Sequence, residues 1–454
     1  MERTWIVGMV ALAGVVIAAT AFFLLRTTGT DHDLRRVIAE QDLLPIEAVD
    51  HPDALVGLGR ALFFDPILSG NRDISCATCH HPSQATGDGL AVSIGTGGAG
   101  IGPNRVLGHD RELVPRNATE IFNRGASEWA TMFWDGRVRL SRRGELLTPA
   151  FIGLGVDLLP PALDSVLAAQ AMFPVTSETE MRGSPDQDPA SNEVAGFDDR
   201  EDFPAIWDAL TARLMAIDGY VAGFAEAFPE VPADDIGFEH AALAIAAFEA
   251  EAYTFTESPW DRYLRGDDMA MTEDAKQGAL VFFGVGGCGE CHTGRLLTDQ
   301  RFHVRAVPQI GPGKEPHQPR DFGRAGAGGG AETQYAFRTP PLRNVTLTGP
   351  WTHAGVYDDL EDVVRHSLDP TAALISYDPA GLSPEVAAVT LETFDGVRGA
   401  ILTYLERRPI DPITLTDAQV DLIMAFLESL TDPAAADLMH TIPDSVPSGL
   451  PIDR

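Results

Sequence analysis

Two short runs, Cys76-Ala-Thr-Cys79-His80 and Cys288-Gly-Glu-Cys291-His292, decide the fold of this 454-residue chain. Each run is a Cys-x-x-Cys-His motif, and together they use all four cysteines of the sequence. In such a motif the two thiols attach covalently to a haem, and the adjacent histidine lies under the iron as an axial ligand. The spacing therefore predicts two covalently bound c-type haems, with His80 and His292 as iron ligands.

Paired cysteines have two other common uses. A zinc site could be assembled from the two pairs together, and a redox-active dithiol is a second alternative. A dithiol needs no histidine after it and usually follows a strand, whereas both pairs here precede a histidine. We therefore favour haem c over zinc or a dithiol.

Composition limits the partners that the protein can have. The length suits two or three domains, and the formal net charge is −33. Such a surface repels nucleic acid phosphates, so we expect no nucleic-acid partner. It attracts basic proteins at low salt, although solubility alone could also account for the acidity.

The N-terminus contains an uncharged run from Trp5 to Leu25, flanked by Arg3 and Arg26. A helix of this length, at ~1.5 Å per residue, can cross a hydrocarbon core of ~30 Å. No small-x-small cleavage site directly follows the run, so we predict an uncleaved anchor in the inner membrane over a cleaved signal peptide. Either alternative exports residues 27–454 to the periplasm.

Helical patterns dominate the rest of the chain. Helices are predicted over residues 53–64, within 158–173, and over 204–227, 233–252, 272–284, 358–368, 384–405 and 416–430, with a flexible loop at 323–330. The predicted fold class is mainly α, with two cytochrome c-like domains and long loops, preceded by an N-terminal transmembrane helix. The predicted units are 1–30 for the anchor and tether, and 31–255 and 256–454 for the two haem domains.

Several further motifs resemble those of bacterial di-haem cytochrome c peroxidases and MauG-like proteins. In chain order they are Leu62–Asp65, Leu68–Gly70, Ser75–His80, Pro115–Asn117, Asn123, Phe133–Arg137, Gln170–Val175 with Glu180 and Met181, Phe337–Pro340, Leu342–Val345 and Leu347–His353. The resemblance implies a periplasmic peroxidase that reduces hydrogen peroxide to water. Its electrons would come from a small redox protein such as cytochrome c or a cupredoxin.

The resemblance also implies roles for single residues. His80 corresponds to the proximal ligand of the peroxidatic haem, and His292 to that of the electron-transfer haem. Gln170 and Glu180 correspond to two positions that face the open side of the peroxidatic iron, with Glu180 as the acid–base group. The polar residues around Glu180 would by themselves favour a solvated surface carboxylate at this position. Trp134 corresponds to the tryptophan that assists electron transfer between the haems.

Two metal sites follow from the same resemblance. Asn117, with the backbone carbonyls of Thr348 and Pro350, corresponds to a calcium site, whose hard cation prefers oxygen ligands. His109 either caps the peroxidatic iron until the second haem is reduced or is an ordinary loop histidine. Both alternatives stay open at this point.

The sixth ligand of the electron-transfer haem departs from the family pattern. The family has Met or Tyr fourteen residues after His353, where this sequence has Ser367, a very poor ligand for haem iron. The adjacent His366 lies at the edge of the same helix face, and a small rotation would let it bind. Otherwise this iron has water or nothing as its sixth ligand.

Two other functions compete with peroxide reduction. A MauG-like oxidase would act on a protein or organic substrate; the missing Met favours it, and the missing Tyr opposes it. A non-catalytic electron carrier or haem sensor would need closed, six-coordinate irons and no role for Glu180. An insertion at about 138–168 lies near the peroxidatic site in the chain and could reshape access to it, and a homodimer is left open.

Overall fold

The computed structural model describes residues 29–150, 158–185, 192–198 and 202–454. The described chain is mainly helical, as predicted. Its helices are residues 29–40 (α1), Asp53–Phe64 (α2), Cys76–Cys79 (α3), Val166–Ala171 (α4), Phe203–Met215 (α5), Asp218–Ala227 (α6), Phe238–Ala252 (α7), Pro259–Leu264 (α8), Glu273–Phe283 (α9), Leu360–Leu368 (α10), Pro370–Ser376 (α11), Pro384–Thr390 (α12), Phe394–Glu406 (α13) and Asp417–Ser429 (α14).

Five short strands supplement the helices. They are Thr131–Met132 (β1), Val138–Leu140 (β2), Leu146–Leu147 (β3), Phe302–Val304 (β4) and Ala336–Arg338 (β5). Strands β1, β2 and β3 form an antiparallel sheet, and β4 pairs antiparallel with β5. The first part of the insertion at 138–168 is therefore a small sheet against β1.

The same arrangement of two packed helices occurs twice in the chain, once beside each cysteine motif. Helix α2 packs on α7, and α9 packs on α14. In both pairs a glycine lets the two helix backbones come into direct contact. A Cβ atom added at Gly59 would lie 1.8 Å from the carbonyl oxygen of Ala244, and a Cβ atom added at Gly278 would lie 1.8 Å from the carbonyl oxygen of Leu422. Only glycine allows this approach, so both halves of the chain depend on the same kind of contact.

Aromatic rings surround both helix pairs. The rings of Phe63 and Phe64 meet edge to face with centroids 5.2 Å apart, and those of Phe282 and Phe283 do the same at 5.0 Å. Such offset contacts stabilise beyond the area that they bury. The aromatic pair that begins four residues after each glycine thus anchors the helix that precedes each motif.

Several helix boundaries confirm the sequence-based predictions. The predicted helices at 53–64, 272–284 and 416–430 are α2, α9 and α14, and the hydroxyls of Thr272 and Thr416 accept hydrogen bonds from the first turns of the last two. Other predicted helices are shorter or divided. The segment 204–227 breaks where Ile217 is extended and Asp218 begins a new helix, and 384–405 divides into α12 and α13.

Both ends of the described chain cross to the opposite half. Residues 29–40, which span the boundary expected at residue 30 between the tether and the first haem domain, form α1. Its fully buried Leu34 joins the core around α9 and α14. Near the other end, Ala435, Leu438 and Val446 belong to the core around α2 and α7. The hydroxyl of Ser448 also donates to Asp65 at 2.6 Å.

The fold prediction needs one correction. Among the helices over residues 29–150, 158–185, 192–198 and 202–454, none is long and apolar enough to cross a membrane. The transmembrane helix of the predicted fold class is therefore not supported. The run from Trp5 to Leu25, on which that prediction rested, lies outside the described residues.

Candidate active site

The first cysteine motif lines a cavity in the half of the chain that contains α2 and α7. Cys76, Cys79 and His80 all face this first cavity. The Nδ1 atom of His80 lies 3.0 Å from the carbonyl oxygen of Thr86 and donates to it, which orients the ring and leaves Nε2 for a metal. Burial lowers the pKa of His80, so the imidazole stays neutral, as an iron ligand must.

The second motif repeats this arrangement in a second cavity. Cys288, Cys291 and His292 line it, and Nδ1 of His292 donates to the carbonyl oxygen of Leu297 at 3.0 Å. Burial lowers the pKa of His292 to about 4. Because the two cysteine pairs line separate cavities, they do not form one zinc site.

A set of possible metal ligands near the second motif is already engaged. Cys291, Asp299 and His303 bring ligand atoms within 4.8 Å of one another. His303 Nε2, however, donates to Asp299 at 2.8 Å, and this carboxylate raises the pKa of His303 to about 9. The protonated imidazole has no lone pair for a metal, and Cys291 belongs to the haem motif.

Gln170 and Glu180 come together at the first cavity. Gln170 lies on α4, whose first turn is capped by Ser165, and Glu180 lies in the wide, π-helical turn Glu178–Arg182. The side chain of Glu180 is 24% exposed, and its Oε1 atom lies 3.8 Å from Nη2 of Arg137. The two residues thus share a cavity with His80, and a guanidinium stands beside the carboxylate.

Trp134 lines both cavities and lies between the two motifs. Its indole N–H donates to the carbonyl oxygen of Asn117 at 3.1 Å, and its ring meets that of His353 edge to face at 6.4 Å. The backbone of β5 also bonds to it, because the N–H of Arg338 donates to the carbonyl oxygen of Trp134 at 2.8 Å. The tryptophan is therefore fixed from both halves of the chain.

Arg338 is a buried cation between the cavities. It is only 2% exposed, lines both cavities and donates to the carbonyl oxygens of Phe133 and Thr339. Burial lowers its pKa to about 9. Within the described parts of the chain no carboxylate lies within 4.0 Å of it, and a buried charge needs a partner. Haem propionates in either cavity would supply that negative charge, so the residues present fit two haems.

Two histidines predicted as iron ligands do not offer a nitrogen to either cavity. His109 is 91% exposed and pairs with Asp110, outside the residues that line the first cavity. His366 lines the second cavity, but its Nε2 donates to the carbonyl oxygen of Arg305 at 2.7 Å and its Nδ1 accepts from the hydroxyl of Tyr357 at 2.8 Å. Both of its ring nitrogens are therefore occupied.

The residues expected to bind calcium share one cavity. Asn117, Thr348 and Pro350 all line the second cavity. The side-chain amide of Asn117 donates to the carbonyl oxygen of Leu90 at 2.8 Å, which leaves its Oδ1 atom as an acceptor.

A third, polar cavity opens beside the first and was not predicted. Pro115, Arg137, Glu180 and Lys314 line both, so these four residues stand at the junction. Pro149, from the insertion at 138–168, also lines this outer cavity. No motif pointed to Lys314; the available signal was its rarity, since the sequence contains only two lysines.

Comparison with known proteins agrees with this geometry. The family model described as di-haem cytochrome c peroxidase matches residues 53–269. The methylamine utilization protein MauG of Methylorubrum extorquens is 32% identical over 332 residues, 71% of this chain and 72% of its own length. The cytochrome c551 peroxidase of Pseudomonas aeruginosa is 32% identical over 307 residues, 68% of this chain and 69% of its own.

The chain belongs to the di-haem cytochrome c peroxidase family. A crystal structure of a MauG-like protein associated with microbial copper homeostasis shares 26% sequence identity and a TM-score of 0.57, covering 88% of this chain and 96% of that one. As a di-haem peroxidase the protein is an oxidoreductase with two covalently bound c-type haems. The pairs Cys76 and Cys79, and Cys288 and Cys291, are the candidates for their attachment.

Proposed function

We propose that the first cavity is the centre where hydrogen peroxide is reduced to water, with Glu180 as its acid–base group. The observation that carries this is that Gln170 and Glu180 line the same cavity as His80. The haem held there would supply the iron and the redox chemistry. Glu180 would move a proton between the two peroxide oxygens, and Gln170 would hold the peroxide by its amide.

Arg137 is a positioning residue for Glu180. Its guanidinium lies 3.5 Å from the ring centroid of Phe133, bonds to Asp135 and reaches to 3.8 Å from Glu180. A planar cation held on an aromatic face keeps its direction. We expect it to hold the Glu180 carboxylate toward the cavity.

Trp134 would carry electrons from the second haem to the first, since it lines both cavities. The electron donor is a small, basic redox protein, because the net charge of −33 attracts such a partner. The exposed Val285 and Glu290 beside Cys288 offer an apolar contact with an acidic neighbour. A periplasmic location is the one expected for such a peroxidase.

Calcium bound by Asn117 with the carbonyls of Thr348 and Pro350 would fix Asn117, whose carbonyl in turn holds Trp134. Removal of calcium with EGTA should slow electron transfer between the haems and leave the haem content unchanged. Restoration of the rate by Ca²⁺ but not by Mg²⁺ would support the site, and an unchanged rate in EGTA would contradict it.

The deciding experiment is steady-state turnover of hydrogen peroxide by the holoprotein with reduced cytochrome c. Glu180→Gln should lower kcat by ~10²–10⁴-fold, the usual contribution of general acid–base catalysis. The matched control is Glu226→Gln, on the exposed side of α6, which should keep wild-type activity. Wild-type turnover in Glu180→Gln would contradict the acid–base assignment, and absence of turnover in the wild-type holoprotein would favour a carrier or sensor.

A MauG-like oxidase is the second candidate. The observation that favours it is Ser367, since neither this residue nor the engaged His366 offers an iron ligand in the second cavity. Such an enzyme would oxidise a protein or organic substrate with peroxide in the absence of reduced cytochrome c. Consumption of peroxide only when cytochrome c is supplied would exclude it.

A further inference from the structure

Lys314 occupies an unusual place for a lysine. The chain has 33 basic residues, and only Lys276 and Lys314 are lysines. Lys276 is in a buried ion pair with Asp31 at 2.7 Å. Lys314 instead lines both the first cavity and the outer cavity, next to Glu180 and Arg137.

The segment that contains Lys314 is held firmly in place. Gln309 and Asp321 close it by exchanging two hydrogen bonds, and Asp321 receives two more from buried Arg116 at 2.7 and 2.9 Å. Within the segment, the N–H of Lys314 donates to the carbonyl oxygen of Arg320 at 3.2 Å. The second half of the chain thus delivers a lysine to a cavity built mainly by the first half.

Among the described residues, the ammonium group of Lys314 is surrounded by charges but forms no ion pair. Arg137 and Arg116 face it as cations, and Asp135 and Glu180 face it as carboxylates. Asp135 is already bonded to both arginines. In the described part of the chain, no carboxylate oxygen lies within 4.0 Å of Nζ of Lys314, so its protons remain available.

A lysine differs from an arginine at such a place because it can release a proton near neutral pH. Arginine stays protonated in proteins, whereas a partly buried lysine titrates readily. The other cation at the junction, Arg137, cannot exchange protons in this way. The chain uses arginine for all but two of its 33 basic residues, and the lysine at 314 can release a proton that an arginine at this position would keep.

We propose that Lys314 is a proton donor of the peroxide-reducing site and connects it to solvent through the outer cavity. This inference rests on the proposed function. Reduction of one hydrogen peroxide breaks one O–O bond, takes two electrons from the redox-protein donor and two protons, and yields two water molecules. Glu180 only moves a proton that peroxide already carries, so both consumed protons come from outside. The departing oxygen leaves as water with both protons of the peroxide. Lys314 gives the remaining oxygen the two protons that make it the second water, one at a time, and is reprotonated from solvent after each.

The charge state of Lys314 fits this role. Burial, with the two arginines, lowers its pKa to about 8. The donating ammonium form is therefore present below pH 8 and is lost as the pH rises through that value. We expect kcat of the wild-type holoprotein to fall on this basic side.

The test compares Lys314→Met with Lys314→Arg, which keeps the charge but cannot release the proton. Both should lower kcat at pH 7 by about tenfold or more and remove the decline near pH 8. Arg36→Met, which removes an exposed cation on α1, should behave as wild type. Wild-type kcat in Lys314→Arg would overturn proton donation in favour of charge alone, and wild-type kcat in Lys314→Met would overturn any role.

Cyanide binding provides a readout that does not need turnover. Cyanide binds iron as an anion, so an ammonium that lines the cavity raises its affinity. Optical titration of the holoproteins should show weaker cyanide binding in Lys314→Met and near-wild-type binding in Lys314→Arg. Equal cyanide affinity in the wild type, Lys314→Met and Lys314→Arg would contradict the position of the Lys314 ammonium group in the cavity. Absence of peroxide turnover in the wild type would instead defeat the proposed function, whatever the cyanide titrations show.

Discussion

The indole N–H of Trp134 donates to the carbonyl oxygen of Asn117 at 3.1 Å, and both residues line the two haem cavities. The bond fixes the orientation of a ring that belongs to both sites at once. Trp134 lines both cavities together with Asn117 and Arg338, so the rate of electron transfer between the cavities tests the role that we propose for its ring.

Trp134→Phe keeps an aromatic ring but loses the hydrogen bond. We expect reduction of the first haem by the second to slow by about tenfold, equal to ~1.4 kcal/mol in the barrier. Stopped-flow spectroscopy after reduction of the second haem measures this rate. Trp129→Phe is the matched control, since Trp129 is equally buried and donates to the carbonyl oxygen of Asn123 at 2.8 Å, but does not line either cavity. Equal rates in the two variants would contradict a special role for Trp134.

The second prediction concerns His366. Since Arg305 and Tyr357 occupy its two ring nitrogens, His366→Ala should leave the spin state of the second haem unchanged. EPR and optical spectra of the oxidised holoprotein measure this directly. Conversion of a low-spin to a high-spin signal in the variant would show that the ring turns to bind iron after all.

Glu249 gives a prediction about pH and stability. This residue of α7 lines the first cavity and is 5% exposed, and burial raises its pKa to about 8. A carboxyl with a raised folded-state pKa contributes stability that is complete below its unfolded value, near 4.5, and is lost as the pH rises through 8. Glu249→Gln should therefore gain stability over wild type by up to ~1.4 kcal/mol per pH unit within this window. Denaturant unfolding at several pH values tests it, and a constant difference between the two proteins would refute the assignment.

The glycine contacts give a prediction about packing. Gly278→Ala places a Cβ atom against the backbone of Leu422, so the free energy of unfolding should fall by about 1–3 kcal/mol. Gly399→Ala is the control, because Gly399 lies on the exposed side of α13 with nothing within 4 Å of the added carbon. That variant should gain about 0.5–1 kcal/mol from its higher helix propensity. Equal effects in the two variants would mean that α9 and α14 can move apart.

The features that the sequence predicts are those encoded by neighbouring residues. The cysteine motifs, the caps at Thr272 and Thr416, and the helices after them lie within a few residues of their signals. The resemblance also pointed to Gln170 and Glu180, and the fold brings them to one cavity. These features depend little on the rest of the chain.

What the sequence does not predict depends on distant contacts. Lys314 reaches a cavity with Glu180 only because a buried pair joins Arg116 to Asp321, 205 residues apart. Residues 29–40 span the expected boundary between the tether and the first haem domain, and the helix that they form packs on distant residues. Leu34 enters the core around α9 and α14, and Thr30 bonds to Glu273, 243 residues on. His366 has the right residue type and helix face for an iron ligand, but neighbours that the pattern does not contain occupy its nitrogens.

The exchange of ends between the two cores limits how the enzyme can move. Rotation of one half against the other would have to pull Leu34 from one core and Val446 from the other. Exposure of these two buried apolar side chains to water would cost free energy. We therefore expect the two cavities to keep a nearly constant separation, and differences between the oxidised and the reduced protein to be confined to side chains and loops.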